Sequence, residues 1–106
     1  MKNIQLTCAH ALVKFLIAQK TLIDGKKVPL FPGVFGIFGH GNVACLGQAL
    51  QENQKDLPTW RGHHEQNMAL TGIAYSRAKR RKQIFIATSS VGPGSTNMIT
   101  AAAVAM

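Results

Sequence analysis

The chain has 106 residues, 46% of them hydrophobic and 15% charged. This excludes two full domains and a disordered tail, and leaves one small domain or a piece of a larger one. Twelve Lys and Arg against four Asp and Glu give a formal net charge of +8, which favours an anionic partner without choosing among nucleic acid, an acidic membrane and a phosphorylated ligand.

Thr7 to Gln19 sets Ala9, Leu12, Val13, Leu16 and Ile17 on one helical face, and Thr7 can cap its start. Thr21 to Pro32, with Asp24-Gly25 and two prolines, reads as a loop. Gly33 to Phe38 is a short apolar run without alternation, which suits a strand covered on both faces. It ends in Gly39-His40-Gly41-Asn42. A helix follows with Val43, Leu46, Gly47 and Leu50 on one face, closed by the polar stretch Gln51 to Asp56. Leu57 to Arg61 is a weak strand, and Pro58 admits it only at an edge or at a strand start. Gly62-His63-His64-Glu65 opens a third helix whose inner face is Met68, Ala69, Gly72, Ile73 and Ser76. After the basic run Arg77 to Lys82, Gln83 to Thr88 is the clearest strand, ending in Ser89-Ser90-Val91-Gly92-Pro93-Gly94. A fourth helix starts near Ser95 and carries Met98, Ile99, Ala102, Ala103 and Met106 on one face. It stops without a capping residue or a polar last turn, as a fragment or a truncated product would.

One helix followed by three strand–helix units predicts an α/β fold, an open parallel sheet with flanking helices. Ligands of such sheets bind beyond the carboxyl ends of the strands. Three loops are expected there, spanning 39–42, 62–65 and 88–94.

Each candidate has an ordinary alternative. Glu65 falls in the first turn of a helix, where the dipole favours any acid. Gly92-Pro93-Gly94 would let a backbone approach a ligand, but it is neither a P-loop nor G-x-G-x-x-G and could be a tight turn. His40, His63, His64 and Cys45 match no zinc spacing, and no metal ligand is expected in the chain. Arg77, Lys79, Arg80, Arg81 and Lys82 place five cations in six residues. They could track phosphates, but no aromatic is interleaved for base stacking, so a solvated connection is the favoured reading. Cys8 and Cys45 form no disulfide framework, which makes a reducing cytoplasm the default. No apolar run is long enough to span a membrane.

Taken together the three loops carry more. Phe38-Gly39-His40-Gly41-Asn42, Arg61-Gly62-His63-His64-Glu65-Gln66 and Ala87-Thr88-Ser89-Ser90-Val91-Gly92-Pro93-Gly94-Ser95-Thr96-Asn97-Met98 resemble, in this order, the thiamine diphosphate enzyme superfamily. The part matched is the start of the pyrimidine-binding domain, as in acetolactate synthase. Gly-His-Gly-Asn in place of a Gly-x-Pro-Gly turn, and Ser90-Val91 before Gly-Pro-Gly, look like the branch that hydrolyses a C–C bond of a cyclic diketone in inositol catabolism. The resemblance implies that residues 1–106 are a truncated part of the pyrimidine-binding domain and that the cofactor is thiamine diphosphate, with Mg2+. It implies that Glu65 hydrogen-bonds a ring nitrogen of the aminopyrimidine and so activates the cofactor. It places Gly39, His40, Gly41, Asn42, Thr88, Gly92, Pro93 and Gly94 around that ring. The diphosphate and Mg2+ would be held by a domain with a Gly-Asp-Gly motif, which does not occur in these residues. The complete enzyme would be a homo-oligomer and the chain alone inactive; neither nucleic acid nor membrane is called for. The competing expectation is a small basic module on nucleic acid or another acidic partner. It explains the charge but not the loops.

Overall fold

The computed structural model describes residues 3–39 and 41–106. The N-terminal helix, α1 (Cys8–Ala18), starts where expected, because the Thr7 hydroxyl accepts the His10 backbone N–H and satisfies a helix-end donor. Val13 is fully buried and Ala9, Leu16 and Ile17 pack behind it, whereas Leu12 stands 47% exposed.

The segment expected to be a loop is a β-hairpin. Strands β1 (Lys20–Ile23) and β2 (Lys26–Pro29) pair antiparallel, with Lys20 opposite Pro29 and Ile23 opposite Lys26. Asp24 and Gly25 adopt φ of 52° and 80°, the mirror-image two-residue turn whose twist matches paired strands. The hairpin forms a sheet of its own. Gln83 holds it to the rest of the fold. This buried amide donates from Nε2 to the Pro29 carbonyl at 2.9 Å, and its Oε1 accepts the Tyr75 hydroxyl at 3.1 Å. The Ile84 N–H adds a bond to the Leu30 carbonyl at 3.0 Å.

The main sheet holds β3 (Val34–Gly36), β4 (Thr59–Arg61) and β5 (Ile86–Thr88) in the order β4-β3-β5. All pairs are parallel, and Val34 lies between Thr59 and Ile86. Pro58 precedes the edge strand β4, where its missing N–H costs no ladder bond. From Asn42 the chain runs through a wide π-helical turn, Val43–Gly47, into α2 (Gln48–Glu52). The long helix α3 (Glu65–Ala78) joins β4 to β5. One face of the sheet carries the core of Val13, Val34, Ala49, Leu50 and Leu57. Each of the valines and leucines contributes roughly 1.5–3 kcal/mol on burial. The turn leaves Val43 59% exposed, so the expected face of this helix begins at Leu46.

The opposite face of the sheet is aromatic. Phe35 stacks on Phe85 at 4.8 Å between ring centroids and meets Trp60 at 6.1 Å. Trp60 remains 48% exposed, so this face is less covered than the apolar run of β3 implied. α3 presents its expected inner face here, with Met68 and Gly72 buried. Ala69, Ile73 and Ser76 border a cleft of about 330 Å³ against the last helix.

The expected fourth helix is two pieces, α4 (Pro93–Thr96) and α5 (Ile99–Ala105). The break turns the inner face toward Met98, Ala101, Ala102 and Ala105, and Ile99 is 65% exposed. At its other end α3 closes with the Arg80 N–H on the Arg77 carbonyl at 3.0 Å and the Arg81 N–H on the Ser76 carbonyl at 2.7 Å. This paired closure normally places glycine in the left-handed conformation just past the cap. Here Arg80 and Arg81 take it, at φ of 52° and 62°, at a cost of about 1–2 kcal/mol per residue.

Candidate functional site at the carboxyl ends of the strands

Because β3, β4 and β5 run parallel, the three loops expected to meet do so at one end of the sheet. The first two leave the sheet together, the Gly62 N–H reaching the Gly36 carbonyl at 3.2 Å. The first is tied to the third twice. The Ile37 N–H donates to the Thr88 carbonyl at 3.1 Å, and Asn42 Nδ2 donates to the Ser89 carbonyl at 2.7 Å. Gly39 is half-buried and Gly41 adopts φ of 84°. His40 lies outside the described residues.

Glu65 is the first residue of α3 and is half-buried. Its partner comes from the third loop: Asn97 Nδ2 donates to Glu65 Oε2 at 3.2 Å. The other carboxylate oxygen, Oε1, faces Gly94, where a β-carbon would lie 3.1 Å from it and 2.8 Å from Ser90 Oγ. Any side chain at Gly94 would press on the carboxylate. Gly92 meets a backbone demand instead: at φ of 67° and ψ of −118° it holds a turn that side chains disfavour. Pro93 follows as the first residue of α4, where its missing N–H breaks no bond. Ser95 Oγ donates to the Ser90 carbonyl at 2.9 Å and steadies the loop. Thr88 closes β5 beside Gly36.

The Glu65 carboxyl is held below its ordinary range. Its own backbone N–H has the largest effect and the Asn97 amide the next; partial desolvation opposes them and nearby His64 adds a small pull downward. The group is thus an anion at neutral pH. In linkage terms, a depressed carboxylate stabilises the fold fully above its unfolded pKa, and that contribution is lost as pH falls through the folded value. Asn97→Ala removes one of these supports. The Glu65 pKa should then rise toward the ordinary value, read by a carboxyl NMR titration; an unmoved titration would rule out the Asn97 bond.

The three loops are legible in the sequence, whereas the role of Asn97 in holding Glu65 is not. The signal available was an amide placed shortly after Gly-Pro-Gly. His63 and His64 are exposed at the helix start, and the described residues hold no group of three His, Cys, Asp or Glu able to share a metal.

A parallel α/β sheet that gathers three loops around one ionised carboxylate at its strand ends is the arrangement of a cofactor-binding domain. The chain belongs to the thiamine pyrophosphate enzymes: residues 32–106 match the family described as "Thiamine pyrophosphate enzyme, N-terminal TPP binding domain". Among curated proteins it is similar to the 3D-(3,5/4)-trihydroxycyclohexane-1,2-dione hydrolase of Geobacillus thermodenitrificans, 54% identical over 105 residues. The proteins of the same name from Clostridium tetani and Bacillus thuringiensis are 50% and 52% identical over the same length. Each match takes in 99% of this chain and 16% of the relative, so the chain spans about a sixth of the relatives' length.

The residues present fit an aminopyrimidine ring. Glu65 places an anionic acceptor at the strand ends, and Gly94 presents no side chain toward its Oε1, both of which suit a ring N–H at that place. Among the described residues, no helix is long and apolar enough to cross a membrane.

Proposed function

We propose that this chain is the N-terminal part of a thiamine diphosphate-dependent hydrolase. The complete enzyme would open the ring of 3D-(3,5/4)-trihydroxycyclohexane-1,2-dione at a C–C bond to give 5-deoxy-glucuronate in myo-inositol degradation. The cofactor reading is carried by one observation, the Glu65 carboxylate at the strand ends with Oε2 held by Asn97 and Oε1 facing Gly94. The substrate reading is supported by the similarity to the named hydrolases. Residues 1–106 form part of the pyrimidine-binding domain.

Thiamine diphosphate, when bound, supplies a carbon nucleophile and an electron sink for cleaving a bond next to a carbonyl. Glu65 would hold the aminopyrimidine ring by accepting a ring N–H, and Asn97 fixes the carboxylate through Oε2. Gly94 lets the third loop pass close to the carboxylate without a side chain pressing on it, and Gly92 and Pro93 fix the turn that carries it. Asn42 locks the first loop to the third, so Gly39 and Gly41 border the same space, with His40 between them in sequence. Mg2+ and the diphosphate would be held by residues outside 1–106, in a second copy of a homo-oligomer. The compartment is the cytoplasm.

The test is ring opening by a full-length enzyme that carries this segment. Loss of the dione should depend on added thiamine diphosphate and Mg2+, and the 106-residue chain should give none. Persistence of the dione in the cofactor-loaded full-length enzyme would overturn the substrate; turnover without cofactor would overturn the cofactor.

A further inference from the structure

The chain's positive charge is concentrated at the end of the fold away from Glu65. Arg77, Lys79, Arg80, Arg81 and Lys82 occupy the last turn of α3 and the connection back toward the start of β5. Parallel strands put that connection opposite the loops of the candidate site. The hairpin brings Lys20, Lys26 and Lys27. In sequence the two basic segments are far apart. Gln83 stitches them together: it follows Lys82 directly and bonds the carbonyl of Pro29, the residue opposite Lys20.

Three features distinguish this surface from an ordinary solvated turn. The described residues contain one ion pair, His10 with Glu52, so none of these eight cations is neutralised by a carboxylate. Of the acids, only Asp24 lies on either segment, at the hairpin turn. Finally, Arg80 and Arg81 sit in left-handed backbone that stability alone would give to glycine. The fold keeps charge where it costs conformational energy.

We propose that the end of α3 and the lysine hairpin together form a binding surface for a linear polyphosphate anion. Lysine and arginine neutralise successive phosphates and release their counterions. No aromatic residue lies within 20–29 or 77–82. The nearby Tyr75 ring is half-buried, packed on Phe85 with Lys79 over it, which leaves no free platform for base stacking. Repeated phosphate charge is therefore recognised and nucleobases are not. This surface is separate from the cofactor reading, and either can fail without the other.

The probe is an end-labelled inorganic polyphosphate, bound to a full-length enzyme that carries this segment and is saturated with thiamine diphosphate and Mg2+, and followed by fluorescence anisotropy at 50 and 200 mM salt. Affinity should fall on the order of 10- to 100-fold between them, as for a few phosphate contacts. Arg80→Gly with Arg81→Gly relieves the backbone while removing two charges. The thermal midpoint should hold or rise, affinity should drop about tenfold or more, and the salt slope should lessen by about one per charge. Lys79→Gln with Lys82→Gln removes charge without touching the left-handed residues, and Lys26→Gln with Lys27→Gln tests the hairpin. Both should weaken binding. Unchanged affinity in either lysine pair overturns the shared surface. Equal binding of polyglutamate overturns phosphate recognition, and tighter binding of a single-stranded oligonucleotide overturns the exclusion of bases.

Discussion

Replacing Glu65 with glutamine in a full-length enzyme that carries this segment should lower kcat by about 100-fold or more, the usual span for removing a group that positions or moves a proton. Glutamine keeps the shape and can still meet Asn97, so the substitution isolates the charge. The site gives the reason for the size of the effect. One carboxylate oxygen is taken by Asn97 and the other faces Gly94. No other carboxylate comes from the three loops: Asp24, Glu52 and Asp56 lie on the hairpin turn, α2 and the stretch after it. The thermal midpoint should change little, because Glu65 is only half-buried. A kcat within a factor of a few of the parent would remove Glu65 from this role.

Leu57→Ala should cost about 2–5 kcal/mol of stability, the range for truncating a fully buried leucine. Leu57 is 0% exposed and packs in the core with Val13, Val34, Ala49 and Leu50. A cavity there undermines α1, α2 and the sheet at once. Domains of this size hold roughly 5–15 kcal/mol in total, so the loss is a substantial share of the stability. The check is the midpoint of urea unfolding. A loss under about 1 kcal/mol would show that the core collapses around the site and that these elements are not coupled through Leu57.

The main sheet and the site could be read from residues because both depend on local pattern. The apolar run 33–38 had no polar alternation to mislead, and Gly-Pro-Gly after the strand at 83–88 marked a turn wherever the helix began. Glu65 was legible since an acid opening a helix just past a strand falls at a carboxyl end. The hairpin was not. Lys26-Lys27-Val28-Pro29 has little strand character, and its pairing is held by the Asp24-Gly25 turn and by Gln83, a contact across 54 residues that no local pattern contains. The split between α4 and α5 was missed for a related reason: no glycine or proline lies at Asn97-Met98, and Asn97 turns out to serve Glu65. The lone carboxylate oxygen over Gly94 is a property of three loops in space, and could be expected only through the family resemblance.

The central strand β3 has a consequence for synthesis. Both of its neighbours are translated after it, β4 first and β5 last. A nascent chain that has reached Arg61 can pair β3 on one side only. Its other edge stays open until Ile86–Thr88 emerge, on the order of seconds later at common elongation rates. Through that interval Phe35 lacks Phe85, the ring it stacks on, and the backbone of an apolar strand is free to pair with another chain. Yield in the cell should therefore depend on how quickly residues 62–88 follow and on whether a holding chaperone covers that edge, before the stability of the finished fold has any bearing.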